Sequence, residues 1–348
     1  MTRIYKTLKH INNINISNFK SIRQASIEDC NVINVFIGKP NAGKSNLLEA
    51  LGLYGMFSLD RNDVHLADFV RQNNYQELFF EGDTGREAIV ELDSSSIKST
   101  FSYGELFLHY KTLDSGDPIR SIIFDSYNEE NDRNSEVKIK KDFTTRNRVK
   151  KYNFSGYVSS NKVSNKDSLE FPSGKNIGRI IASVPELRAQ VNLLFKQNDL
   201  KFLIEKSTND LKIFKEYNDG TVFTLSYNMI ADTLQRLIFY KAAIISNDES
   251  VLLFEEPEAH CFEPYIQEFT NAVKYDKNKN QFFIVTHSDF IIQEFLRDDD
   301  SKAKTNIYLV NNVQGETQVK LMKRENNEDV YELGMNAFFN FDQLWENN

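Results

Sequence analysis

The chain has 348 residues, and 42 Lys and Arg against 50 Asp and Glu give a net charge of -8. That balance excludes a chain-wide attraction to nucleic acid or anionic membrane, so any such contact must be a local patch. The apolar content of 40% supports a proper core, and two cysteines without metal-ligand spacing, Cys30 and Cys261, exclude a disulfide framework and fit a reducing, cytoplasmic home. The opening MTRIYKTLKHINNINIS lacks the apolar core of a signal peptide, and no run of about 18 apolar residues offers a membrane span.

From Ile14 to Ile37 the short apolar pieces INIS, ASIED and NVINVFIG predict strands feeding a glycine turn. SNLLEALGLYGMF follows, with Leu47, Leu48, Leu51 and Leu53 at helical spacing. Between Ala88 and Lys140 the pieces AIVEL, ELFLHY, SIIFD and EVKIK, separated by polar turns, predict an antiparallel lobe. Residues 141–177 are polar, basic and weakly patterned; a helix is expected roughly from Pro185 to Lys206, then the strands LKIFKEY and TVFTLS joined by Asn218, Asp219 and Gly220. No heptad array of useful length occurs, so any coiled-coil arm is short.

After Asn228 the pattern changes to helix (ADTLQRLIFYKAAI), buried strand (VLLFEE), helix (IQEFTNAVKY), buried strand (QFFIV), helix (FIIQEFL) and strand (IYLV). Continuous apolar strands alternating with helices indicate a parallel sheet covered on both faces. The glycine loop and this late block should share that sheet, with the antiparallel lobe inserted between them in sequence. A single α/β domain is therefore expected, with a mixed sheet, an inserted antiparallel β lobe and a short helical region. Its parts are an N-lobe over 1–140, a basic and helical insertion over 141–210, a C-lobe over 211–310 and a terminal hairpin and helix over 311–348.

Gly38-Lys39-Pro40-Asn41-Ala42-Gly43-Lys44-Ser45 matches the phosphate-loop pattern after a strand and at the opening of a helix. Such a loop turns backbone N–H groups, here through Gly38, Asn41, Ala42 and Gly43, around phosphate oxygens; Lys44 reaches the β- and γ-phosphates and Ser45 supplies a magnesium ligand. A triphosphate with magnesium explains the second segment, VLLFEEPEAH, in which a buried strand runs into three carboxylates. Glu255 is placed to face the magnesium shell and Glu256 to polarise the attacking water. Thirty-one residues beyond Glu256, a third apolar strand ends in Thr286-His287-Ser288, which would bring an imidazole to the same sheet edge.

Together these segments resemble the ABC-type ATPase heads of the SMC, RecF and OLD group. The likeness rests on Asn18-Phe19-Lys20-Ser21-Ile22, the GKPNAGKS loop, FEEPEAH as Walker B and VTHSDF as the switch-histidine segment, and it covers most of residues 11–60 and 228–310. It implies a P-loop NTPase fold with an ABC-type head, ATP and magnesium as cofactors, and heads that complete each other's sites in an oligomer. Two departures stand out. Walker B usually reads Asp-Glu, whereas Glu255-Glu256 stands here, which implies a slow switch more than a fast motor. The family's Ser-Gly signature turn aligns with Ile230 to Arg236, where Ala231 and Thr233 replace Ser and Gly while Gln235 and Arg236 fit; Asp232 or Thr233 is expected to cap the helix, and either the helix-terminal N–H groups or Arg236 to sense the nucleotide of the opposite subunit. Glu258 and His260, past the proline, are expected at that interface. A magnesium-sensing glutamine would be Gln72 or Gln76.

Relatives of the OLD type carry a nuclease domain after the ATPase, but 61 residues follow His287 here, so a nuclease is expected on a separate polypeptide. Asp298-Asp299-Asp300 follows an amphipathic helix and reads as a solvated helix end. The stretch KIKKDFTTRNRVKK, Lys138 to Lys151, has seven Lys or Arg and one Asp in fourteen residues and suits either a solvated hairpin or a phosphate backbone. The aromatic tail NAFFNFDQLW, Asn336 to Trp345, would pack back on the domain or bind a partner. The expected activity is that of an oligomeric, magnesium-dependent regulatory ATPase controlling an effector in prokaryotic antiviral defence; a RecF-like DNA-binding repair factor and a non-hydrolysing ATP-gated scaffold are the alternatives.

Overall fold

In a computed structural model the described residues are 10–59, 65–112, 118–125, 148–156, 166–196, 200–205 and 211–348. In chain order the elements are β1 (Ile14–Phe19), β2 (Ile22–Ile27), β3 (Ile33–Gly38), α1 (Lys44–Met56), β4 (Ala88–Leu92), β5 (Ser95–Ser102), β6 (Glu105–Thr112), β7 (Arg120–Asp125) and β8 (Val149–Tyr152). They continue as α2 (Ile177–Ser183), α3 (Pro185–Lys196), β9 (Lys201–Ile204), β10 (Leu211–Glu216), β11 (Val222–Ser226), α4 (Asp232–Ser246), β12 (Val251–Glu255), α5 (Glu263–Lys274) and β13 (Gln281–Val285). The last are α6 (Asp289–Leu296), α7 (Asp299–Ala303), β14 (Thr305–Val313), β15 (Glu316–Leu321), α8 (Arg324–Glu332) and α9 (Phe341–Asn347). They fall into two compact units, one of Met1–Lys151, Glu249–Glu256 and Gln281–Asn348, the other of Tyr152–Asp248 and Pro257–Asn280.

The first unit is built on a mixed sheet of order β15-β14-β3-β13-β12-β8. The phosphate-loop strand β3 lies in parallel between β13 and β14, with Val35 opposite both Ile284 and Ile307, and β12 runs parallel beside β13. Runs such as QFFIV are buried along their whole length, as a sheet covered on both faces demands. Phe36 stacks against Tyr308 with centroids 5.2 Å apart, and each such ring contributes about 1.5–3 kcal/mol by leaving water. The expected sharing of one sheet by the loop strand and the late block is therefore found.

A second, antiparallel sheet in this unit has the order β2-β1-β4-β5-β6-β7. The hydroxyl of Tyr54 on α1 donates to the carbonyls of Val90, at 2.9 Å, and Ser95, at 3.0 Å, pinning the loop's helix to this sheet. Strands β1 and β2 pair here instead of joining β3, because Ile14, Ile16, Ala25 and Ile27 present an alternating apolar face that a two-sided buried sheet could not use. Strand β5, SSIKSTFS, was not expected: its serines mask a β pattern that becomes visible once Ile97 is paired between Val90 and Tyr110. The expected strand EVKIK lies outside the described residues.

In the second unit α4 packs against α5, α2 and α3, burying Leu237, Ile238, Ile266 and Phe269. Beside them is a three-stranded sheet of order β11-β10-β9, whose β10–β11 turn is the expected Asn218-Asp219-Gly220. The helix expected to reach Lys206 ends at Lys196, and KFLI then pairs as β9 with β10. Cross-strand pairing here outweighs the helical spacing of a short apolar run. No helix among the described residues is long and apolar enough to cross a membrane.

Candidate functional site

Strand β3 ends at Gly38, where a Cβ would lie 2.0 Å from the Val310 carbonyl oxygen, so only glycine lets the loop leave between its neighbours. Asn41 (φ 60°) and Gly43 (φ 95°) turn the loop back into α1. Gly43 has a second constraint, since its Cβ would meet the Thr317 hydroxyl at 2.0 Å. The helix begins without a side-chain cap, which leaves the N–H groups of its first turn for an anion.

Lys44 is 5% exposed and curls back on the loop, its ammonium donating to the carbonyls of Gly38, at 2.9 Å, and Lys39, at 2.8 Å. Burial lowers its pKa to about 8, against an opposing pull from Glu256. A buried ammonium at the start of a helix whose first turn has no side-chain cap suits a phosphate.

Strand β12 delivers Glu255 beside Ser45, which hydrogen-bonds it, and between two cations: Arg71 at 2.5 Å and Lys151 at 3.7 Å. Burial opposes its ionisation, but Lys151, the Ser45 hydroxyl and Arg71 outweigh it and hold the carboxyl below the usual range. Arg71 continues to Glu49 on α1, at 3.0 Å, and Glu49 binds Lys20 at 2.5 Å. Lys151 comes from the edge strand β8, is 3% exposed and donates to the Phe69 carbonyl at 3.0 Å. Glu255 is therefore a fixed carboxylate, ready for a cation.

Just past β12 the backbone turns left-handed at Glu256 (φ 45°), whose N–H still bonds the Val285 carbonyl at 2.9 Å. The turn brings its carboxylate 3.6 Å from Nε2 of His287 at the end of β13. Burial and the Lys44 charge push the imidazole pKa down, Glu256 pushes it up, and the balance is downward. At neutral pH the ring is accordingly uncharged, able to accept or pass a proton.

The two glutamines differ in burial. Gln76 is exposed, whereas the side-chain oxygen of Gln72 is buried without a hydrogen-bond partner. The Ser45 hydroxyl bonded to the Glu255 carboxylate supplies the hard oxygen donors that a divalent cation takes. The residues present fit magnesium with a triphosphate.

Arg236 lies in the other unit, paired with Asp232 at 2.7 Å and stacked 4.7 Å above the Phe154 ring. The expected helix cap is corrected: Ala231 holds the cap position without a side-chain bond, Asp232 pairs with Arg236, and the Thr233 hydroxyl donates to the His260 carbonyl at 2.8 Å. Loop and signature-like helix are so joined. The basic stretch is corrected in part, since Lys151 is buried and Arg148 pairs with Glu249 at 2.5 Å; residues 138–147 lie outside the described ones. Asp298 caps α7 through Ser301 and Asp300 pairs with Lys304, and no acidic cluster able to hold a metal occurs among the described residues.

Comparison with known proteins decides the family. A model described as "AAA domain, putative AbiEii toxin, Type IV TA system" matches residues 33–293. The chain belongs to this family. Over 44 residues it is 48% identical to the uncharacterized protein MJECL10 of Methanocaldococcus jannaschii, a match of 13% of this chain and 20% of that protein, so only about a fifth of that relative's length is spanned. Among solved structures, an SMC head bound to the C-winged helix domain of ScpA is 12% identical with a TM-score of 0.50, over 91% of this chain and 98% of that one. The SMC head domain of Thermotoga maritima is also 12% identical, with a TM-score of 0.44, over 90% and 99%. This AAA domain thus has the P-loop fold of SMC heads.

A pH dependence follows from Lys44. Bound phosphate holds the proton on the ammonium and raises its pKa above the free value of about 8, so binding takes up a proton once pH exceeds that value. Affinity for ATP should be near its maximum at pH 7 and below and should fall about tenfold between pH 7 and 9, the change in the protonated fraction of the free lysine. Calorimetric titration across that range reads the slope, and a flat profile would refute a depressed Lys44.

Proposed function

We propose that this protein is a magnesium-dependent ATPase whose oligomer acts as a switch over a separately encoded effector in prokaryotic antiviral defence. The observation that carries the enzymatic part is the 3.6 Å pairing of Glu256 with His287 beside the buried Lys44. In this reading the N–H groups of Gly38, Asn41, Ala42 and Gly43 and the ammonium of Lys44 bind the triphosphate, and Ser45 and Glu255, with Gln72, hold magnesium. Magnesium held there would supply charge stabilisation to the transferring phosphoryl group. Glu256 orients the attacking water, and neutral His287 bonds that water or a γ-phosphate oxygen.

Oligomerisation completes the site: helix α4 has an uncapped N-terminus, and its Arg236 would meet the nucleotide of a second copy. The family description names a toxin of a toxin–antitoxin system, which supports a defence role. An SMC head bound to a domain of ScpA supports the use of such a scaffold to engage another polypeptide. A nuclease is the effector proposed.

Phosphate release by purified protein, with magnesium and with excess chelator, tests the enzymatic part; no release in magnesium sinks it. Affinity capture from the native host tests the effector, and a nuclease held only in the presence of ATP is the expected result.

A further inference from the structure

The aromatic tail packs back on the first unit, and it does so at the nucleotide loop. Ala337, Phe341 and Leu344 are buried, while Lys320 of β15 bonds the Trp345 carbonyl at 2.9 Å and lies 4.5 Å from its ring centroid. From that anchor three contacts reach the site. Asp342 on α9 pairs with Lys39 of the phosphate loop at 2.5 Å. The Ala337 N–H donates to Asp289, two residues beyond His287, at 2.9 Å. The Phe338 ring stacks on the His287 imidazole, with centroids 6.3 Å apart and planes 26° apart.

We propose that Phe338 is a positioning residue for His287, held in place by residues 336–345 as a clasp joining the phosphate loop to the switch strand. The inference rests on the reading of the site as an ATPase. His287 stands two residues past the end of β13, after the buried Thr286, where the strand no longer dictates the ring's plane. An aromatic face alongside restricts that plane, and an offset stack within about 7 Å is an attractive geometry. The backbone behind Phe338 is itself fixed, since the Asn336 side-chain oxygen accepts the N–H groups of both Phe338 and Phe339, each at 3.0 Å. Phe338 touches no reacting atom: it acts through the imidazole, by keeping Nε2 directed at Glu256.

The test uses Phe338→Leu, which keeps apolar bulk and removes the ring face, and Phe338→Tyr, which keeps the face. Leucine should lower kcat roughly two- to tenfold, the span to which the stacking contribution of an aromatic pair converts, with ATP affinity and melting temperature unchanged. Tyrosine should restore at least half of the loss. In NMR spectra the His287 ring-proton resonance should move downfield in the leucine variant, as the ring current of Phe338 is lost, and return with tyrosine. An unchanged kcat, or a resonance indifferent to the substitution, would overturn the proposal. The resonance is read without turnover, so an inactive wild-type protein would sink the hydrolysis reading separately.

Discussion

Glu256→Gln should lower phosphate release by about 10²–10³-fold while leaving ATP bound. The glutamine keeps the shape of the side chain and the left-handed turn at φ 45°, so the altered quantity is the carboxylate facing His287. Losing it removes the group proposed to orient and polarise water, whereas the loop, Lys44 and the Glu255 side of the site stay as they were. The variant should therefore hold ATP unhydrolysed and accumulate engaged oligomers, visible by light scattering. Lys44→Ala gives the contrast: its ammonium bonds two loop carbonyls, at 2.9 and 2.8 Å, and its loss removes both triphosphate affinity and hydrolysis. Measured together, the two variants separate binding from chemistry. Equal phosphate release from wild type, Glu256→Gln and Lys44→Ala would refute catalysis at this site, and an unchanged monomer mass for Glu256→Gln in ATP would refute the oligomer.

The parts of the site that were legible in the sequence are those whose chemistry demands a local pattern. A phosphate loop needs glycines at fixed offsets because Gly38 and Gly43 have no room for a Cβ, and a buried strand ending in carboxylates stands out because burial without a counter-charge is costly. The parallel sheet was legible for a related reason, since strands buried on both faces, such as Val251–Glu255 and Gln281–Val285, are continuously apolar. What escaped is what reaches the site from afar. Arg71 sits in a polar turn, Lys151 in a basic stretch that suggests a solvated surface, and Phe338 in a terminal segment; each acquires its role only through tertiary contact, at 2.5 Å, 3.7 Å and 6.3 Å from its partner respectively. Glu49 did leave a signal. It interrupts the apolar run NLLEALGL on a helix buried nearly all round, and an acid in that setting implies cations waiting for it.

The two cations also bear on the Glu255-for-Asp departure in Walker B. A carboxylate that binds Arg71 and Lys151 as well as Ser45 has to reach further than one that meets only a metal, and the extra methylene supplies that reach. On the proposed reading, a metal held by Glu255 would displace Arg71, which is exposed enough to withdraw, more readily than the buried Lys151. A site in which a cation must be displaced before the metal settles is suited to slow switching.

Glu49→Ala should destabilise the first unit by about 3 kcal/mol, the range for removing one partner of a buried ion pair. The carboxylate is fully buried and bridges Lys20 on the β1–β2 turn to Arg71. Its removal costs unequally at the two ends. The Arg71 side chain is 67% exposed and can return to water while still holding Glu255, but the Lys20 side chain is 14% exposed and retains the Arg71 carbonyl, at 2.7 Å, and the more distant charge of Glu77. Most of the penalty is therefore the charge of Lys20, and removing it as well should recover most of the loss: Lys20→Met with Glu49→Leu should melt closer to wild type than Glu49→Ala does. Thermal melting followed by circular dichroism should place Glu49→Ala roughly 5–10 °C below wild type. A Glu49→Ala melt coincident with wild type, or a double variant less stable than the single, would show that the network is not what holds the hairpin to α1. If the network does hold it, the same substitution frees Arg71 from α1 and leaves it to Glu255 alone. The metal would then meet a looser competitor, and the magnesium concentration needed for half-maximal phosphate release should fall even as the fold weakens.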